Sequence, residues 1–229
     1  MSYLAISYAG KKLYYKGIAG SFYVFPVQPP DSATGSYWAV ALPNGKIIIK
    51  GPTSFYHHFD PDTCLWSTLA APDASIIKAA WVVSNTCVIT TSSTTALHLF
   101  NGTVWSSITP ALPAPCVGGP VAFSDTDIWC LTGGKHIYHL ETGVWVDRWP
   151  AACTALAGGS DIGPIVNIFA IGTTLYFCGN PTAVTGRVFK LTGGIGGTWA
   201  WLGATFDCVP CHISGPDEAN LRVLGYLKV

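Results

Sequence analysis

Residues 131–145 read LTGGKHIYHLETGVW. The glycine pair Gly133-Gly134 closes an apolar run, an alternating strand follows from Ile137, a polar turn comes next, and Trp145 opens another strand. The same order recurs in FYHHFDPDTCLWSTLAAP from Phe55, LHLFNGTVWSSITPALPAP from Leu97 and VFKLTGGIGGTWAWLGA from Val188. There the tryptophans are Trp66, Trp105 and Trp199. The turns carry residues with conformational roles. Asn101-Gly102 supplies positive φ for a tight hairpin, and Pro61 fixes one torsion of another turn.

Working outward, each of these units follows two apolar strands joined by a turn. The second strands begin at Leu13, Ile47, Val88, Ile128, Leu175 and Leu221, separated by 34, 41, 40, 47 and 46 residues. YLAISYA, YWAVALP, AAWVVS, PVAFS and VNIFAI supply the first strands. Helical periodicity is absent. Four short strands in a unit of about 40–50 residues, repeated along the chain, predict an all-β β-propeller of four-stranded antiparallel blades in one domain spanning 1–229. Six inner pairs favour six blades. Five is the alternative, because the last pair leaves no room for outer strands before Val229 and the first unit carries its tryptophan late, at Trp38.

FDPDTCLW and LTGGKHIYHLETGVW resemble kelch repeats, in which a glycine pair follows the second strand, an aromatic lies in the third and a tryptophan stands a few residues on. Gly133, Gly134, Tyr138 and Trp145 fit that pattern, and Phe59 to Trp66 keeps the Tyr138-to-Trp145 gap. The other units depart from it: Gly17 and Gly51 are single, and Phe100 to Trp105 is shorter. The resemblance implies that Trp66, Trp105, Trp145, Trp199, Gly133, Gly134 and Tyr138 pack the blades.

Charged residues make up 10% of the chain, against roughly 25% in typical domains, and twelve basic residues balance twelve acidic ones. No basic face for phosphate backbones is implied, so nucleic acid is not an expected partner. No apolar run is long enough for a membrane-spanning helix, and the amino terminus lacks the charged and apolar regions of an export signal. The expected location is therefore the cytoplasm or a virus particle. Eight cysteines are too sparse for a disulfide scaffold, and Cys130 and Cys178, inside apolar strands, read as buried free thiols.

Cys208 to His212, CVPCH, spells a c-type haem attachment signature. That attachment follows export, and the sequence offers no second axial ligand, so haem is disfavoured and a structural turn, with Cys208 and Cys211 bonded or free, is expected. A zinc site would need a second ligand pair that the sequence does not supply. His57, His58, His98 and His139 fall on successive third strands, where neighbouring blades are expected to hold them apart rather than converge them on a metal. Asp60 with Asp62, and Asp125 with Asp127, could lend oxygens to calcium, although turn stabilisation is their commoner role. No cofactor is expected.

No nucleophile elbow, phosphate loop or zinc-protease motif occurs, three arginines do not make a sialidase-type cluster, and nothing marks a copper site or a pair of catalytic acids. The chain is accordingly expected not to be an enzyme, with a carbohydrate hydrolase or oxidase as the alternative. The leading expectation is a recognition and assembly propeller, binding protein partners or copies of itself, as a structural or host-adhesion component of a virus or phage particle. A glycan-binding lectin-like propeller and an intracellular kelch-like adaptor are the other binding readings. Trp38, Trp81, Trp149 and Trp201, off the repeat phase, together with Asp60 and Asp62, are the expected ligand or partner contacts.

Overall fold

A computed structural model describes residues 4–7, 12–16, 21–30, 38–50, 54–73, 77–92, 94–133, 136–152, 165–179, 186–206 and 209–226. The chain divides into two compact units, Met1–Ala111 and Leu112–Val229. In the first unit, β1 (Leu4–Ser7), β2 (Lys12–Lys16) and β3 (Phe22–Val24) form a three-stranded sheet. Two four-stranded sheets follow. One contains β4 (Trp38–Ala41), β5 (Ile47–Lys50), β6 (Phe55–Asp60) and β7 (Leu65–Ala70); the other contains β8 (Ile77–Ser84), β9 (Cys87–Ser92), β10 (Leu97–Phe100) and β11 (Trp105–Ser107).

The second unit repeats the plan. One four-stranded sheet contains β12 (Cys116–Ala122), β13 (Ile128–Thr132), β14 (His136–Glu141) and β15 (Val144–Asp147). The next contains β16 (Ile165–Ile171), β17 (Thr174–Gly179), β18 (Gly186–Thr192) and β19 (Thr198–Phe206). A two-stranded sheet of β20 (Val209–Ser214) and β21 (Arg222–Tyr226) ends it, with a 3₁₀ turn at Glu218–Asn220 between them. Every pairing is antiparallel, and the described residues thus form six sheets.

The second strands are buried on both faces because sheets pack against both sides of a blade. β5 shows how three consecutive isoleucines serve this purpose. Ile47 and Ile49 point to one side, where they cluster with Leu13 of the first sheet and Phe59. Ile48 points to the other, where it meets Val88, Phe100 and Trp105 of the third sheet. β13, with all five residues buried, has the same character in the second unit. A continuous apolar run is what a doubly covered strand requires, so period-2 alternation is missing there.

Strand registry makes the tryptophans equivalent. Trp66 lies opposite Phe59, Trp105 opposite Phe100, Trp145 opposite Leu140 and Trp199 opposite Leu191. The equal gaps Phe59-to-Trp66 and Tyr138-to-Trp145 are therefore a coincidence of spacing. Tyr138 pairs with Asp147, two steps further along the ladder, because Thr142 and Gly143 (φ +47° and +82°) make a two-residue turn where the Asp60–Leu65 connection has four. The kelch pattern is thus matched in outline and not in register. At Gly133 an added Cβ would meet only Val117, at 4.0 Å, so glycine there is not needed for close packing; Gly134 lies outside the described residues.

Among the described residues the first sheet has three strands. After β3 the chain turns away, and residues 25–30 seal the contact with the second blade. Phe25 meets Phe59 edge-on at 4.9 Å, and the Trp66 indole N–H donates to the Val27 carbonyl at 3.0 Å. Trp38, expected as the late tryptophan of the first unit, instead begins β4 opposite Lys50. At the other end, the CVPCH segment is not a turn. Val209 to Ser214 is a strand with a bulge at Cys211, and Cys208 lies outside the described residues.

Candidate functional site

Between the second and third blades lies an open cleft of about 330 Å³, and each wall follows from a turn. On one side the β4–β5 hairpin presents Asn44 and Lys46. On the other, the β8–β9 hairpin presents Asn85 and Thr86. The two hairpins are tied together, since the Asn44 backbone N–H donates to Asn85 Oδ1 at 2.8 Å. The third wall is the 101–104 connection. Asn101 holds it by accepting from the backbone of Thr103 and Val104 and from the Thr103 hydroxyl. Gly102 alone has positive φ there, +97°, so the Asn-Gly pair does not form the tight turn its sequence suggests.

Leu69, Phe100 and His58 form the interior surface of the cleft, while the Phe59 ring points to the other face of its blade. The Trp105 indole N–H donates to His58 Nε2 at 3.1 Å. Indole only donates, so Nε2 accepts and the imidazole proton sits on Nδ1, which has no partner among the described residues. Burial, reinforced by His57 and Lys46, pulls His58 down to about 4, which keeps the ring neutral at physiological pH. At the mouth, Lys46 and Asp60 form an ion pair at 3.1 Å with side chains 43% and 36% exposed. Asp60 is held below the ordinary carboxylate range, first by the Asp62 backbone N–H and then by Lys46.

Beneath the cleft the two blades share a polar core. The Tyr56 ring stacks on Trp105 at 3.7 Å, and its hydroxyl meets Thr90 Oγ1 at 3.2 Å and His98 Nδ1 at 3.0 Å. His98 Nε2 reaches Asp73 at 3.1 Å. Desolvation raises the Tyr56 hydroxyl well above the usual phenol range. Of the third-strand histidines, His58 and His98 each bond a side chain of the adjacent blade, because the sheets pack closely enough for Tyr56 and Trp105 to cross. Those bonds are structural. Among the described residues no group of three or more His, Cys, Asp or Glu is arranged to hold a metal ion.

The second unit has its own polar network around the buried His139. His139 Nε2 lies 2.8 Å from Asp127 and Nδ1 lies 2.9 Å from Glu141, while Arg148 Nε donates to Glu141 at 2.6 Å. Trp129 stacks on His139 at 4.1 Å and donates its indole N–H to Asp127. In the adjacent blade, Glu218 receives Tyr176 at 2.9 Å and Lys190 at 2.6 Å, and burial together with Glu218 pushes the Tyr176 hydroxyl to about 12. Of these carboxylates Asp127 was marked by its pairing with Asp125, whereas Glu141 and Glu218 carry no linear signal.

The expected contact residues distribute unevenly. Asp60 does line the cleft, while Asp62 sits in the adjoining turn, donating its backbone N–H to Asp60 at 3.0 Å. Trp81, Trp149 and Trp201 are half-buried, Trp201 lying under Arg187 at 5.1 Å and edge-on to Phe189, and the Trp38 side chain lies outside the described residues. Trp105 is buried, and Trp66, Trp145 and Trp199 are half-buried. The exposed apolar side chains include instead Phe22, Tyr23 and Val24, 57%, 48% and 46% exposed, which make up all of β3. Cys130 and Cys178 are buried free thiols. Among the described residues no helix is long and apolar enough to cross a membrane.

No family model matches the chain, and no curated protein matches it. Solved structures do. A catalytically inactive virginiamycin B lyase from Staphylococcus aureus with quinupristin is similar at 17% identity and TM-score 0.62, over 93% of this chain and 70% of that one. A chain of the mitotic checkpoint complex is similar at 10% identity and TM-score 0.64, over 97% and 71%. YCF48 bound to D1 peptide is similar at 10% identity and TM-score 0.52, over 77% and 56%. The expectation of a chain that is not an enzyme is corrected by the first of these. The fold is shared with a lyase, so the lack of a linear catalytic motif does not exclude catalysis. What the likeness shows is the architecture: the chain is an all-β propeller of four-stranded antiparallel blades.

Proposed function

We propose that this propeller is a recognition subunit whose protein partner adds an extended segment to the open edge of β3. The observation that carries this reading is the contrast between β3 and the other third strands. β6, β10 and β14 are largely buried and each pairs with a fourth strand, whereas all three residues of β3 are apolar and exposed. Registry defines which groups face outward. Phe25 N–H donates to the Leu13 carbonyl, so Leu13–Phe25 and Tyr15–Tyr23 are the hydrogen-bonded pairs with β2. The backbone N–H and C=O of Phe22 and Val24 then point away from the sheet, which is the arrangement that strand addition uses. The mitotic checkpoint complex and YCF48 bound to D1 peptide, both similar in fold, support a propeller that engages protein or peptide. The setting rests on composition: with 10% charged residues, a subunit of a virus or phage particle suits the chain best, and an intracellular adaptor is the other fit.

The test uses the outward geometry. Val24→Pro removes an outward N–H without touching the pairs with β2, and edge positions tolerate proline. Peptides selected from a displayed library by the wild-type protein should be extended, apolar-alternating sequences that lose binding to Val24→Pro at unchanged Tm. Selection of peptides that bind both proteins equally would refute the edge as the docking site.

A further inference from the structure

The cleft between the second and third blades has a recognisable ligand chemistry, independent of the β3 edge. Its donors are fixed in place. His58 offers a neutral Nδ1–H, because Nε2 is taken by Trp105. Asn85 has its carbonyl oxygen committed to Asn44, which leaves the amide NH2 as the group to offer, and Asn44 has its own carbonyl oxygen committed to the Lys46 backbone. Lys46 and Asp60 supply a donor and an acceptor side by side at the mouth.

The charges select against ions. Lys46 and Asp60 compensate each other, so an anion entering the mouth meets the Asp60 carboxylate and a cation meets the Lys46 ammonium. What remains is a neutral molecule that both donates and accepts at several closely spaced points. Leu69 and Phe100 add apolar surface against which the C–H face of a ring can lie. At about 330 Å³ the cleft is at the small end of ligand pockets, the scale of one or two sugar rings. We propose that this cleft is a binding site for a neutral pyranoside, with Lys46, Asp60 and Asn85 contacting its hydroxyls and the Leu69–Phe100 surface contacting its ring.

The experiment is saturation-transfer NMR on the full chain. The probes are methyl glucoside, galactoside, mannoside and N-acetylglucosaminide, with N-acetylneuraminic acid and galactose 6-sulfate as charged arms and myo-inositol as a neutral polyol without a glycosidic ring. At least one neutral pyranoside should receive saturation, weakened about tenfold or more in Lys46→Met/Asn85→Ala, a loss worth about 1.4 kcal/mol. Asp60→Asn, a same-sized surface change, should weaken it too, and Val24→Pro should leave it unchanged. Saturation confined to the charged probes or to inositol, no saturation of any pyranoside, or equal binding by the cleft variants at unchanged Tm would each overturn the assignment. Failure of the β3 edge would show instead in the peptide selection and leave this result intact.

Discussion

The Trp105 indole of the third blade donates to His58 Nε2 of the second at 3.1 Å, and this bond fixes a neutral histidine between two sheets. The folded ring titrates near 4, below the ordinary value of 6.5, chiefly because burial penalises the imidazolium. The unfolded chain therefore binds more protons than the folded one between those values. Stability from this group is complete above about pH 6.5 and falls as pH drops toward 4, by roughly 3 kcal/mol in total. Chemical denaturation across that window should show a shallower loss for His58→Gln than for wild type. Parallel curves would mean that His58 takes up its proton in the folded state as readily as in the unfolded one.

Gly102 and Gly143 both have positive φ, +97° and +82°, yet they should differ in tolerance. A Cβ at 102 would meet Thr86 Cγ2 at 2.9 Å, whereas at 143 it meets nothing within 4 Å. Gly143→Ala should cost about 1 kcal/mol, the conformational term alone. Gly102→Ala adds the clash and should cost about 2–3 kcal/mol, with part recovered by Thr86→Ser, which removes the crowded methyl. Equal melting temperatures for the two alanine variants would contradict the close approach.

Trp105 and Trp145 occupy equivalent rungs of their ladders, but their surroundings differ. Trp105 is buried against the Tyr56 ring at 3.7 Å and 8°, and Trp145 is half-buried. Trp105→Ala should destabilise by about 3–5 kcal/mol, as for a fully packed aromatic, and Trp145→Ala by clearly less. Urea unfolding of the two variants measures the order. A larger loss at Trp145 would contradict the burial difference.

The repeat was readable because it rests on local chemistry. Second strands such as β5, β13 and β17 start at or within one residue of their first apolar side chain, and each tryptophan opens its fourth strand or lies next to its start. What sequence could not convey was which surfaces stay covered. Phe22-Tyr23-Val24 has the pattern of any buried third strand, and only the departure of residues 25–30 toward Phe59 and Trp66 leaves it open. Trp81, Trp149 and Trp201 fell off the repeat phase, which left their exposure open, and packing half-covers all three. In the cleft, Asp60 was legible from its turn. Lys46, Asn44 and Asn85 were not, since their proximity depends on two hairpins 41 residues apart being tied by one hydrogen bond.

His139 provides the sharpest test of the polar networks. Asp127 and Glu141 face its two ring nitrogens at 2.8 and 2.9 Å. Trp129 stacks on the ring face, and Arg148 holds Glu141 from the far side. Glutamine at this position cannot reach both carboxylates, and leucine reaches neither. His139→Leu removes both contacts, but Glu141 keeps Arg148 and the half-exposed Asp127 keeps the Trp129 indole and water, so the expected cost is about 1–2 kcal/mol. Adding Asp127→Asn to the leucine variant should cost less than Asp127→Asn does in the wild type. The double-mutant cycle from urea denaturation gives the answer: a coupling near zero would mean that Asp127 and His139 act independently, and a clear coupling would establish that their contact stabilises the fold.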